Sequence, residues 1–156
     1  MKHSVVVRGS ICFDKHPENF ITNVIDSIRL WHDNEIILST WETQEKFIPI
    51  DLKIDQLILT KDPGSGPVQH FNRQALSFKK GVEACDGELV TVIRADVLLK
   101  TDPTIFLSEK HKKTSDFNIF EHKIVVSNMM SINPESEEIP NIFRICDWVH
   151  SGYRKD

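Results

Sequence analysis

Leu89-Val90-Thr91-Val92-Ile93-Arg94-Ala95-Asp96-Val97-Leu98-Leu99-Lys100 is mostly apolar, rich in β-branched residues and free of Gly and Pro. A run of that kind reads as a strand buried on both faces. Side chains alternate along a strand, so Val90, Val92, Arg94 and Asp96 are expected to share one face, with the two charges toward its carboxyl end. A buried carboxylate is costly unless it meets a cation, a metal or several donors. Ligands in open α/β sheets bind outside the carboxyl ends of the strands. Arg94 and Asp96 therefore read as part of a site for a charged ligand; the competing reading is an ion pair that only fixes the strand.

Working outward, Ser4-Val5-Val6-Val7-Arg8-Gly9 predicts a first strand that ends in a cation and a glycine turn, where backbone can approach a ligand closely. Phe20, Ile21, Val24, Ile25, Ile28 and Trp31 recur at helical spacing. Glu35 to Trp41 then predicts a second buried strand, which makes a βαβ unit. Thr43 to Phe47 suits a short helix stopped by Pro49, and Gln56 to Thr60 a third strand. Lys61 to Pro67 is a dense turn cluster. Phe71, Ala75, Phe78, Val82 and Cys85 predict a second amphipathic helix, ended by Asp86-Gly87. Asn72-Arg73-Gln74 fall in its first turn, where exposed N–H groups favour anions. Beyond the charged strand, Lys123 to Ile132 predicts a further strand bent at Asn128, and Ile142 to Val149 alternates weakly before His150-Ser151-Gly152-Tyr153.

The 156 residues suit one domain, residues 1–156, and 40% hydrophobic with 27% charged content is ordinary for a globular chain. The net charge of −4, with no basic stripe, argues against nucleic acid as a partner. Cys12, Cys85 and Cys146 are odd in number and far apart, which suggests buried thiols rather than a disulfide framework or a zinc site. No run reaches membrane-spanning length and the first residues are too short for a signal peptide. A cytoplasmic chain is the expectation, with peripheral contact at the inner face of a membrane left open.

The order of elements predicts an α/β fold: a three-layer, Rossmann-like, mainly parallel sheet flanked by helices. The G-x-G-x-x-G and P-loop fingerprints are missing, as are H-E-x-x-H, G-x-S-x-G and any close His pair. What remains is a strand carrying a charged triplet, with Arg73 at the preceding helix start. GT-A glycosyltransferases present their metal and diphosphate site on an apolar-flanked acidic triplet. Here Arg94-Ala95-Asp96 stands in that place, with a cation where the first acid is usual.

Five short segments follow one another in order: Ile36 to Glu42, Asp62-Pro63-Gly64, Asn72-Arg73-Gln74, Arg94-Ala95-Asp96, and Ile145-Cys146-Asp147-Trp148 with Gly152. Together the chain resembles the WavE family of lipopolysaccharide-synthesis glycosyltransferases, over almost its whole length from about Val6. The resemblance implies a GT-A-like fold, a nucleotide-sugar donor, a glycan or lipid-linked acceptor and a divalent cation, Mn or Mg. By position it implies that Arg8 and Gly9 border the nucleobase and that Thr40, Trp41 and Asp62 line the nucleoside pocket. Asn72 and Arg73 would face the ribose or diphosphate, and Arg94 would neutralise the diphosphate. Asp96 would be the metal ligand, and Asp96 and Asp147 the catalytic carboxylates, Asp147 as general base in an inverting enzyme. Family members continue past the Asp-Trp segment, so the chain is expected to be a fragment truncated at its C-terminus, a minimal relative, or a degenerate copy that no longer turns over. The rival readings are a non-catalytic domain that binds nucleotide-sugar or glycan, and a nucleotidyltransferase. The latter needs a Gly- and Lys/Arg-rich loop where Arg8-Gly9-Ser10 is followed by Ile-Cys-Phe.

Overall fold

The computed structural model describes residues 1–11, 20–64, 71–107, 122, 124–126 and 148–155. These form an α/β fold around a six-stranded mixed sheet. In chain order the elements are β1 (His3–Arg8), α1 (Phe20–Arg29), β2 (Glu35–Trp41), a 3-10 helix (Glu42–Phe47), β3 (Gln56–Thr60), α2 (Phe71–Ala84), β4 (Leu89–Arg94), a second 3-10 helix (Pro103–Leu107), β5 (Val125–Val126) and β6 (Val149–Tyr153). The sheet order is β3-β2-β1-β4-β6-β5. β3, β2, β1 and β4 are parallel neighbours, whereas β6 runs antiparallel to both β4 and β5.

The β-branched runs form the centre because both of their faces are covered. Val5, Val7, Ile36, Leu38 and Ile93 pack with Ile21, Val24, Ile25 and Ile28 of α1. Val6, Ile37, Val90 and Val92 point the other way and pack with Cys85, Val82 and Ile58. Each such side chain taken fully out of water is worth about 1.5–3 kcal/mol. At the amino ends of the strands, the Glu35 carboxylate accepts hydrogen bonds from Ser4 Oγ, from Gln56 Nε2 at 2.9 Å and from the Asp86 N–H at 3.1 Å. That carboxylate ties β1, β2, β3 and the approach to β4 together at one edge.

Three expectations are corrected. The charged strand does not run to Lys100: it ends at Arg94 and a turn follows at Ala95-Asp96. The Val97 N–H reaches the Arg94 carbonyl at 3.2 Å, and the chain then folds back so that Val97 and Leu99 pack on the α1 core. α2 does not bury the stripe read from its apolar spacing. Phe71, Ala75 and Phe78 are exposed, and the helix meets the sheet through Ser77 and Gly81, with Val82 and Cys85 completing the contact. A Cβ on Gly81 would come within 2.3 Å of Val6 Cγ1, so the small residue is what lets helix and strand approach. Finally, His150 to Tyr153 continue a strand, β6, hydrogen-bonded to β4. Of the further strand read over Lys123 to Ile132, Val125–Val126 is strand, and most of the remainder, with the bend at Asn128, lies outside the described residues.

Candidate functional site

β1, β2 and β4 end side by side at Arg8, Trp41 and Arg94. Register pairs Arg8 with Arg94 on one side and with Ser39 on the other, so these three side chains share a face. It is the face that carries α2, because Ser39 Oγ donates to the Ser77 carbonyl at 2.9 Å. Between these strand ends and the first two turns of α2 lies a cleft of about 400 Å³. Arg8, Arg73, Arg94, Asp96, Trp41 and Gln74 are among its lining residues, together with the backbone turn at Gly9-Ser10. Its size falls within the range of small-molecule sites.

Gly9 adopts φ +100°, a conformation that disfavours any side chain, while its N–H donates to the Ser39 carbonyl at 2.9 Å. The turn is held by Gln44, in the 3-10 helix that follows β2. Its Oε1 accepts from the Ile11 N–H at 2.7 Å and from Thr40 Oγ1 at 3.2 Å, and its Nε2 donates to Ser10 Oγ at 2.5 Å. The Ala95 N–H donates to the Arg8 carbonyl at 2.9 Å, extending the β1–β4 ladder to the turn that carries Asp96.

Two arginines are gripped by carboxylates. Arg94 donates from Nε and Nη2 to the two oxygens of Asp96, at 2.9 and 2.5 Å. Arg73 does the same to Asp62, at 2.7 and 2.6 Å, and its cationic form is stabilised further by that hydrogen bond. Asp62 also accepts the Gly64 N–H at 2.9 Å, so the loop after β3 is closed against the start of α2. Arg8 is buried, with its guanidinium carbon 6.0 Å from the centre of the Phe78 ring.

Of the residues singled out in the sequence, Arg8, Gly9, Trp41, Arg73, Arg94 and Asp96 come together around the cleft. Thr40 does not join them: it is fully buried, points to the opposite face from Ser39 and Trp41, and bonds Gln44. Asp62 stands behind Arg73 and grips it. Asn72 is exposed and is not among the lining residues. Asp147 lies outside the described residues. Ser10, Gln74, Ser77 and Ala95 also line the cleft. Ser10, Gln74 and Ala95 sit within motifs already marked, and Ser77 with Gly81 forms a small-residue pair one helical turn apart, a legible sign of close helix packing.

The described residues fit a divalent cation poorly. Both oxygens of Asp96 are engaged by Arg94, and three guanidinium groups line the same cleft. No cluster of three or more His, Cys, Asp or Glu suited to a metal occurs among the described residues. The arrangement suits an anion. Arg8 and Arg94 are cross-strand neighbours, Arg73 closes from the helix, and the amino end of α2 adds its dipole.

A family model described as WavE lipopolysaccharide synthesis matches residues 3–156, nearly the whole chain. The chain belongs to that family. No curated protein matches it significantly. No helix among the described residues is long and apolar enough to cross a membrane.

Proposed function

We propose that this member of the WavE family is a single GT-A-like domain, with helices on both faces of a Rossmann-like sheet, that moves a sugar from a nucleotide-sugar donor to a surface glycan such as lipopolysaccharide core. The observation that carries the reading is the cationic cleft at the carboxyl ends of β1, β2 and β4, where α/β sheets bind nucleotides. Family membership supplies the pathway, lipopolysaccharide synthesis. In the reaction an acceptor hydroxyl oxygen bonds the anomeric carbon, and the bond from that carbon to the diphosphate oxygen breaks. The electron pair leaves with the diphosphate and the hydroxyl proton passes to a base. Guanidinium groups already in place at the leaving group stabilise the charge that develops there, with no reorganisation at the moment of transfer. Asp147 is the proposed base of an inverting reaction.

The second reading, a domain that binds nucleotide-sugar without turning it over, draws on one observation: Asp96, the acid lining the described part of the cleft, is held by Arg94. Incubation of the purified chain with UDP-, GDP- and CMP-sugars and a lipopolysaccharide core acceptor separates the two. Nucleotide release coupled to a glycosylated product supports transfer. Binding of a donor without product in any pairing supports the second reading.

A further inference from the structure

Asp96 occupies the position where an acidic triplet would hold a metal, yet its geometry is that of a partner to arginine. Its two oxygens meet Nε and Nη2 of Arg94 in a two-point pair, and the Asp96 side chain is largely shielded from water. Such a pair fixes the guanidinium plane more tightly than a single contact does. A cation placed on the same oxygens would compete with Arg94 for their electron density and would sit among three guanidinium groups, those of Arg8, Arg73 and Arg94. Asp62, in the loop after β3, repeats the arrangement on Arg73. Each carboxylate thus sets the direction of an arginine, and Arg8 stands beside Arg94 in register at the floor of the cleft.

Resting on the donor-binding reading above, we infer that the diphosphate of the donor is held directly by Arg8, Arg73 and Arg94 without a divalent cation, and that Asp96 is a positioning residue for Arg94 rather than a metal ligand. The ligand class is a nucleoside diphosphate, whose two phosphates span neighbouring guanidinium groups. The charge of the leaving group is then balanced by fixed cations of the chain.

The test is calorimetric titration of the full chain with UDP, GDP and CDP, in EDTA and again with Mn²⁺, on the wild type and on Asp96→Asn and Arg94→Met. The expected result is binding of one nucleotide with the same affinity in EDTA and Mn²⁺. Arg94→Met then weakens binding roughly 10- to 100-fold. Asp96→Asn removes a negative charge from the cleft, so loss of a bystander acid would tighten anion binding. Loss of a positioning acid weakens it, equally in EDTA and Mn²⁺, while the melting temperature reports that the variant is folded. Binding that requires Mn²⁺, and that Asp96→Asn abolishes even in Mn²⁺, overturns the inference and leaves the donor reading standing. Tighter binding by Asp96→Asn overturns the positioning role. A folded wild-type chain that binds none of the nucleotides overturns both the inference and the donor reading.

Discussion

Arg8 and Arg94 are register partners across the parallel β1–β4 ladder, two cations side by side at the carboxyl ends of adjacent strands. Like charges directly opposite one another destabilise a sheet, and the Asp96 carboxylate on Arg94 offsets part of that cost. An anion seated over the pair is attracted by both, and Arg73 faces the same cleft from α2.

Asp62 and Arg73 give the first test of that arrangement. Asp62→Asn leaves the Arg73 charge intact and makes the cleft more positive, while loosening the two-point pair and the contact with the Gly64 N–H. Donor affinity should fall, by less than for Arg73→Ala. The latter should lose roughly 1.5–3 kcal/mol, the range for a hydrogen bond to a charged group. Calorimetry on both variants reads the order directly. Affinity that rises in Asp62→Asn contradicts a positioning role for this carboxylate.

Gly81 sets the distance between α2 and the sheet. A Cβ there meets Val6 Cγ1 at 2.3 Å and Ser39 Cβ at 3.3 Å. Gly81→Ala should therefore cost about 1–3 kcal/mol of stability by overpacking. It should also weaken donor binding, because Arg73, Gln74 and Ser77 ride on the same helix. An unchanged urea midpoint contradicts this packing.

Gln44 offers a case in which binding and stability fall together. It holds the Gly9–Ile11 turn through Ser10 Oγ and the Ile11 N–H. Gln44→Ala should cost about 1–3 kcal/mol of stability for the buried groups left unsatisfied. The turn that walls the cleft is thereby loosened, so donor affinity should drop as well. Full affinity in a destabilised variant would remove the turn from the site.

His3 makes stability depend on pH. It is buried beside His32, with ring centres 4.6 Å apart, and contacts Thr91 Oγ1 at 2.9 Å. Burial first, and the neighbouring His32 second, lower its pKa from 6.5 to about 4, against the pull of Asp102. His32 is lowered as well, chiefly by burial. Between those two pH values the unfolded chain binds more protons at His3 than the folded one. The stabilisation is thus complete above pH 6.5 and is lost as pH falls toward 4. After allowance for solvent screening the His3 share lost at pH 5 is about 1–2 kcal/mol. The urea midpoint should drop between pH 7 and pH 5, and drop less in His3→Gln. Equal drops in the two proteins contradict a buried neutral His3.

Sequence made the central strands and both helices legible for physical reasons. Val5 to Val7, Ile36 to Leu38 and Val90 to Ile93 are β-branched runs that need cover on both faces, and Ile21, Val24, Ile25 and Ile28 keep helical spacing. It failed where side-chain pairing or tertiary packing decides the outcome. The Arg94–Asp96 pair closes a turn that strand alternation cannot anticipate. Phe71 and Phe78 read as core by periodicity, but Ser77 and Gly81 allow a closer approach on a different face of α2. β6, with His150, Ser151 and Gly152, carries too little apolar alternation to announce a strand; its pairing with β4 makes it one. At the site, charges at strand ends were readable. The grip of Asp62 on Arg73 and the burial of Thr40 against Gln44 depend on how loops return to the sheet.

The central claim is that a nucleotide-sugar donor occupies the cleft between the carboxyl ends of β1, β2 and β4 and the start of α2. The most direct measurement is a calorimetric titration of the wild type with UDP-, GDP- and CMP-sugars, repeated on Arg73→Ala and Arg94→Met with the melting temperature of each protein recorded. One donor should bind the wild type, and each substitution should weaken it roughly 10- to 100-fold in a folded protein. A folded wild type that binds no donor, or folded variants that bind as tightly as the wild type, would contradict it.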